Sequence, residues 1–93
     1  MEFRRFELDW TSEALGNLRD LAARAPRQAQ RVVDTLTHYA DLGMSPGRAT
    51  PRAGVYYAIA RPLSPIGVFY EIVDHRYFRV LALVDARRLP APP

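Results

Sequence analysis

From Phe3 to Trp10 the chain alternates, with Phe6, Leu8 and Trp10 on one side and Phe3, Arg5, Glu7 and Asp9 on the other. A period of two predicts a strand buried on one face. Thr11 or Ser12 then offers an N-cap hydroxyl, and with Thr11 as the cap Trp10 and Leu15 stand at the N′ and N4 spacing of a hydrophobic staple. Ala14, Leu15, Leu18, Leu21, Ala22 and Ala25 form one stripe at helical spacing, which predicts a helix over residues 12–24. Pro26 ends it and opens the next helix, because the missing N–H is an orphan in a first turn anyway. Ala29, Val32, Val33, Leu36, Tyr39 and Ala40 are that helix's stripe, and Gly43 is its C′ stop. A turn this short folds the two helices into an antiparallel hairpin.

Residues 43–54 hold three glycines and two prolines and show no period, so they read as one long loop. Val55–Arg61, Ile66–Asp74 and Tyr77–Arg87 are rich in Val, Ile, Tyr and Phe, and predict three strands of a meander turning at residues 62–65 and 74–76. Residues 88–93, with three prolines in the last four positions, read as a frayed tail. The expected fold is a single α+β domain over residues 1–93, in the order β-α-α-β-β-β. A four-stranded antiparallel sheet carries the helical hairpin on one face. Strict parity puts Phe6, Leu8, Trp10, Val55, Tyr57, Ile59, Val68, Tyr70, Ile72, Phe78, Val80, Ala82 and Val84 under the helices. The opposite face then mixes Tyr56, Ala58, Ala60, Gly67, Phe69, Leu81 and Leu83 with Glu71, Arg79, Asp85 and Arg87. Exposed Phe69, Leu81 and Leu83 beside arginines mark a face that meets a partner.

Composition narrows the chemistry. With 48% hydrophobic and 25% charged residues the chain is globular rather than disordered. It has no run of about 18 apolar residues to cross a membrane, and its charged N-terminus does not read as a signal peptide, so the expectation is a cytosolic protein. No cysteine is present, and the two histidines, His38 and His75, fall on separate predicted elements. No metal centre and no cofactor are therefore expected. The net charge is +3 and every basic residue is Arg. Residues 1–44 carry six Arg against seven acids, and residues 45–93 seven Arg against three, so the basic surface belongs to the second half.

The order of elements, with Trp-Thr-Ser-Glu-Ala-Leu near the start, Gly-Val-Phe-Tyr-Glu-Ile in the third strand of the pattern and the closing Arg-Val-Leu-Ala-Leu-Val-Asp-Ala-Arg-Arg, resembles the RelE/ParE superfamily of type II toxin–antitoxin toxins. The resemblance implies a growth-inhibiting toxin neutralised by a cognate antitoxin. In the RelE-like branch it implies metal-free cleavage of messenger RNA on the ribosome, and in the ParE-like branch action on DNA gyrase. Arg87 matches the family's arginine near the end of the last strand. Gly67, Ala58 and Ala60 stand where the ribonuclease branch tends to be basic, which moves the resemblance toward the ParE-like branch. A fold relative that only binds protein or nucleic acid is the remaining class.

Phosphate-ester cleavage needs a base, an acid and cations for the phosphate charge, and the candidates for that set are Arg87, Arg79 and Glu71. Arg79 and Glu71 are also placed to pair across a hairpin. Arg48, Arg52, Tyr56 and Arg88 are the candidates for binding a nucleic-acid or protein target, because no acid lies between Asp41 and Glu71 to neutralise the loop arginines. Phe69, Leu81 and Leu83 are the candidates for antitoxin binding. His75 reads as a solvated turn residue and His38 as a surface partner of Asp34.

Overall fold

The computed structural model describes residues 5–58 and 65–88. Strand β1 spans Glu7–Trp10, helix α1 Ser12–Arg24 and helix α2 Pro26–Asp41. Thr11 caps α1 as its hydroxyl implies, accepting from the Ala14 amide at 3.1 Å. Pro26 sits in the first turn of α2, and Gly43 follows the helix with φ 64°, the left-handed conformation that glycine adopts without penalty. Ala14 and Leu21 are buried, while Leu15 and Ala22, counted into the stripe of α1, are exposed. The staple therefore does not close over Leu15, and Trp10 packs instead against the main core.

The sheet departs from the sequence expectation in strand number and in the direction of one pairing. A two-residue strand, β2 (Arg48–Ala49), forms inside the long loop and pairs antiparallel with β3 (Val55–Ala58), followed by β4 (Ile66–Val73) and β5 (Tyr77–Asp85). The order is β1-β5-β4-β3-β2, so the sheet has five strands rather than four. Helix α1 continues in the direction of β1, with Thr11 beside Val80 and Asn17 beside Leu83, and α2 returns to set Ala40 against Phe6. The three reversals into β3, β4 and β5 then turn β5 to run with β1, and the pair is parallel, Leu8 opposite Phe78 and Trp10 opposite Val80. The sheet is mixed, not wholly antiparallel. The predicted continuation of β3 through Ile59, Ala60 and Arg61, and the Pro-rich turn after it, lie outside the described residues.

Side-chain parity departs in two strands. In β3, Tyr56 and Ala58 face the helices and Val55 and Tyr57 face away, the reverse of the expectation, since Tyr56 lies opposite Tyr70 and Tyr57 opposite Phe69. Val-Tyr-Tyr-Ala is apolar at both parities, so its pattern does not choose a face. In β5 the register shifts beside Phe69 and Tyr70: Phe69 pairs with Ala82 and Tyr70 with Val80, leaving Leu81 as the extra residue of a bulge. Beyond it every side chain changes face. Leu83, expected on the open face, is buried in the core at 8% exposure, and Ala82 and Val84 leave the core face. The strand also stops at Asp85, and Arg87 belongs to a short 3-10 turn, Ala86–Arg88.

Past Val80, β5 has no neighbour strand on its outer side, and α1 takes that place. The Thr11 amide donates to the Val80 carbonyl at 3.1 Å and the Thr11 hydroxyl to the Leu81 carbonyl at 3.0 Å. The Asn17 side-chain oxygen accepts from the Leu83 amide at 3.1 Å. Helix α1 packs on β5 and α2 on β1. Between them Val32, Leu36, Val68, Tyr70, Phe78 and Val80 are fully buried. Tyr70 stacks on Phe78 with ring centroids 4.2 Å apart and on Tyr56 at 5.6 Å, and its hydroxyl donates to the Pro46 carbonyl. The β4–β5 turn holds Asp74 and His75 at φ 55° and 53°, closed by the Arg76 amide on the Val73 carbonyl at 3.0 Å.

Two stability measurements test this account. Asn17→Ala leaves the Leu83 amide without a partner, and urea unfolding is expected to show a loss of about 1–3 kcal/mol. Burial pushes the Tyr70 hydroxyl above its ordinary pKa of 10.0, with Tyr56 and Tyr39 adding to the shift. In the unfolded chain that phenol ionises near its ordinary value while the folded one stays protonated. Its contribution is therefore complete below about pH 10 and is lost as pH rises further. Alkaline unfolding followed by circular dichroism should show that decline, and Tyr70→Phe should make it shallower.

Candidate functional site on the open face of the sheet

The face turned away from the helices divides into an apolar basic half and an ionic half. In the first, Pro51, Val55, Phe69, Leu81 and Ala82 line a groove of about 430 Å³ whose rim carries Thr50, Arg52 and Glu13. On the other side of Thr50 and Pro51 a second hollow of about 310 Å³ is lined by Arg48, Ala49, Tyr57 and Phe69. The bulge makes this groove, because it turns both Leu81 and Ala82 toward it. Thr50 builds its wall: the hydroxyl donates to the Val55 carbonyl at 2.9 Å and accepts from the Arg52 amide at 3.2 Å, which folds residues 50–55 into a closed turn. Gly47, at φ 93°, lets the loop lie against β3, where a Cβ would come within 2.8 Å of the Ala58 Cα.

Arg48 and Arg52 are exposed and have no acidic partner among the described residues. They remain the available cations of this face.

Gly67 has a local explanation. The Tyr57 ring lies over it, and a Cβ at position 67 would stand 2.7 Å from Tyr57 Cζ. Tyr57 packs against Phe69 with centroids 4.8 Å apart, and burial raises its pKa. The glycine holds an aromatic platform, and a basic side chain there would have to displace the ring.

In the ionic half, Arg79 lies between two carboxylates. Its Nε donates to Asp9 at 2.9 Å and its Nη1 to Glu71 at 3.3 Å, so the expected Glu71 pair exists and Asp9 on β1 joins it. The hydrogen bond to Asp9 is the main reason the guanidinium pKa is raised. Next to it Arg76 pairs with Glu7 at 3.3 Å and lies over the Tyr77 ring at 5.3 Å. Arg87 is 73% exposed but forked onto Asp85, which accepts from its backbone amide, Nε and Nη2 at 2.9–3.0 Å.

The sequence-derived candidates therefore separate. Phe69, Leu81, Arg48 and Arg52 come together at the groove. Glu71 and Arg79 form their own cluster, and Arg87 stands apart in its turn. Tyr56 lies on the helix side, and Leu83 belongs to the core. The Arg88 side chain lies outside the described residues. Tyr57, Val55, Pro51 and Asp9 were not among the candidates. The adjacent pair Tyr56 and Tyr57, aromatic at either parity, and a lone Gly67 in an aromatic strand were the available signal for the first. The alternation that puts Asp9 beside Glu7 was the signal for the last.

Chemically this face is better built to bind than to transfer protons. Asp9 and Glu71 already neutralise Arg79 and Glu7 pairs with Arg76, so none of the three is a free base, and the Tyr57 hydroxyl, raised above its ordinary value, stays protonated at neutral pH. An apolar groove with two unpaired guanidinium groups at its margin suits an acidic segment with large apolar side chains.

No protein-family model and no curated protein matches the chain. Solved structures do. A chain of the chromosomal ParDE TA system from P. aeruginosa superposes with a TM-score of 0.66 at 18% identity, covering 86% of this chain and 95% of that one. A chain of the YoeB-YefM complex from Staphylococcus aureus superposes with a TM-score of 0.55 at 10% identity, covering 85% and 94%. The two-helix hairpin on a mixed five-stranded sheet is thus an α+β arrangement of the ParE/YoeB, or RelE/ParE, toxin fold.

Proposed function

We propose that this chain is the cytoplasmic toxin of a type II toxin–antitoxin pair, neutralised by a cognate antitoxin, and that it acts on DNA gyrase rather than by cutting messenger RNA. The observation that carries the first part is the likeness over 86% of the chain to a chain of a ParDE TA system, supported by the second likeness to a YoeB-YefM complex. The choice of target rests on the open face. Its carboxylates and Arg79 are spent on one another, and Tyr57 occupies the space above Gly67 where a further cation would have to stand. Arg48 and Arg52 serve target or antitoxin binding, and Phe69 and Leu81 anchor the antitoxin in the groove. Arg87, clamped by Asp85, keeps an exposed guanidinium at the sheet's end as a secondary contact.

Induced expression in a bacterial host tests the reading. Growth is expected to stop and to resume when the adjacent gene's product is co-expressed. Reporter plasmids should lose negative supercoiling before amino-acid incorporation falls. Early loss of incorporation with cleaved transcripts would assign the ribonuclease activity instead, and undisturbed growth would leave a non-toxic binding relative of the fold.

Two leucines separate binding from folding. Leu81→Ala should weaken antitoxin affinity about tenfold by calorimetry with a small change in melting temperature, as expected for an anchor in an apolar groove. Leu83→Ala, two residues on, should cost about 2–5 kcal/mol of stability because it opens a cavity in the core.

A further inference from the structure

On the helix side of the sheet, at the end away from the bulge, the hairpin leaves β3 and β4 partly uncovered. There Phe6, Tyr56 and Ile72 form the floor, and Ser45, Gly54, Asp74 and His75 the rim, of a cleft of about 520 Å³. It shares no lining residue with the groove on the open face.

Two observations give this cleft a chemistry. The Tyr56 ring is held from behind by its stack on Tyr70, itself stacked on Phe78, so it offers a fixed aromatic face. Among the described residues no Lys or Arg lines the cleft, and the Asp74 carboxylate, the His75 imidazole and the Ser45 hydroxyl have no hydrogen-bond or ion-pair partner. The rim thus holds a net negative charge and unused acceptors.

We propose that this cleft binds a planar guanidinium cation, the side chain of an arginine presented by a partner protein. The cation lies on the Tyr56 face and forks onto the Asp74 carboxylate, with Ser45 and His75 accepting its remaining N–H groups. A phosphate-bearing ligand fits poorly, since no cation among the described lining residues would neutralise it. An ammonium group fits less well than a guanidinium, because it cannot lie flat on the ring while making two parallel bonds to one carboxylate. This site is independent of the toxin reading and of the open face.

The test is a titration of the ¹⁵N-labelled chain with N-acetyl-arginine amide, followed by amide shifts, with N-acetyl-lysine amide as the equally charged control. The expected result is saturable shifts at Tyr56, Ile72, Asp74 and His75 with Kd in the millimolar range, about 5 mM, and at least about fivefold weaker binding of the lysine compound. Asp74→Asn, which keeps a residue that tolerates positive φ, should fold normally and weaken binding about tenfold. Shifts spread over the surface, equal binding of the two compounds, or unchanged binding by the Asn variant would each overturn the proposal.

Discussion

The additional residue in β5 is the constraint on which the rest of the molecule turns. A strand that continued in register past Val80 would keep Leu81 and Leu83 outside and Ala82 and Val84 inside. The bulge leaves Leu81 outside and reverses the residues after it, so the core gains Leu83 where it would have had Ala82 and Val84. It also leaves backbone groups of β5 facing outward with no strand beside them. Helix α1 supplies the partners from Thr11 and Asn17, so the position of the helical hairpin over the sheet is fixed by hydrogen bonds to the same irregular stretch. Polar groups at a bulge are costly to leave unpaired, which makes this contact a determinant of how the two layers align.

The helices could be read from the chain almost to the residue, because caps and prolines act locally: Thr11, Pro26 and Gly43 each carry out their role within one turn of where they stand. The sheet was less legible, for reasons of the same kind. Arg48–Ala49 is too short to have a period, so nothing in the pattern marks the fifth strand. The run Val-Leu-Ala-Leu-Val is apolar in both registers, so no pattern betrays a one-residue insertion, and Val-Tyr-Tyr-Ala hides its facing in the same way.

At the candidate site, legibility followed distance along the chain. The pairing of Glu71 with Arg79 needs only a hairpin and could be anticipated, whereas Asp9 joins them across a parallel contact nearly the whole chain away. The meaning of Gly67 was hidden as well. Read alone, it is a missing side chain; in three dimensions it is the space into which Tyr57 folds. Arg87 illustrates the opposite failure: its residue type drew attention, but its charge is shared with an aspartate two positions before it.

The hydrogen bond from Tyr70 to the Pro46 carbonyl reaches out of the core to the root of the loop that carries Arg48 and Arg52. A twelve-residue connector of glycine, proline and serine would ordinarily surrender much conformational freedom when a partner immobilises it, at about 1–2 kcal/mol for each residue ordered. Here the segment before Arg48 is moored to a side chain that is itself wedged between two other rings, and the segment after it is closed by Thr50. Much of that entropy is surrendered during folding instead. A partner arriving at the groove meets guanidinium groups on a loop already fixed at both ends, and the gain appears as slower dissociation rather than as any added contact.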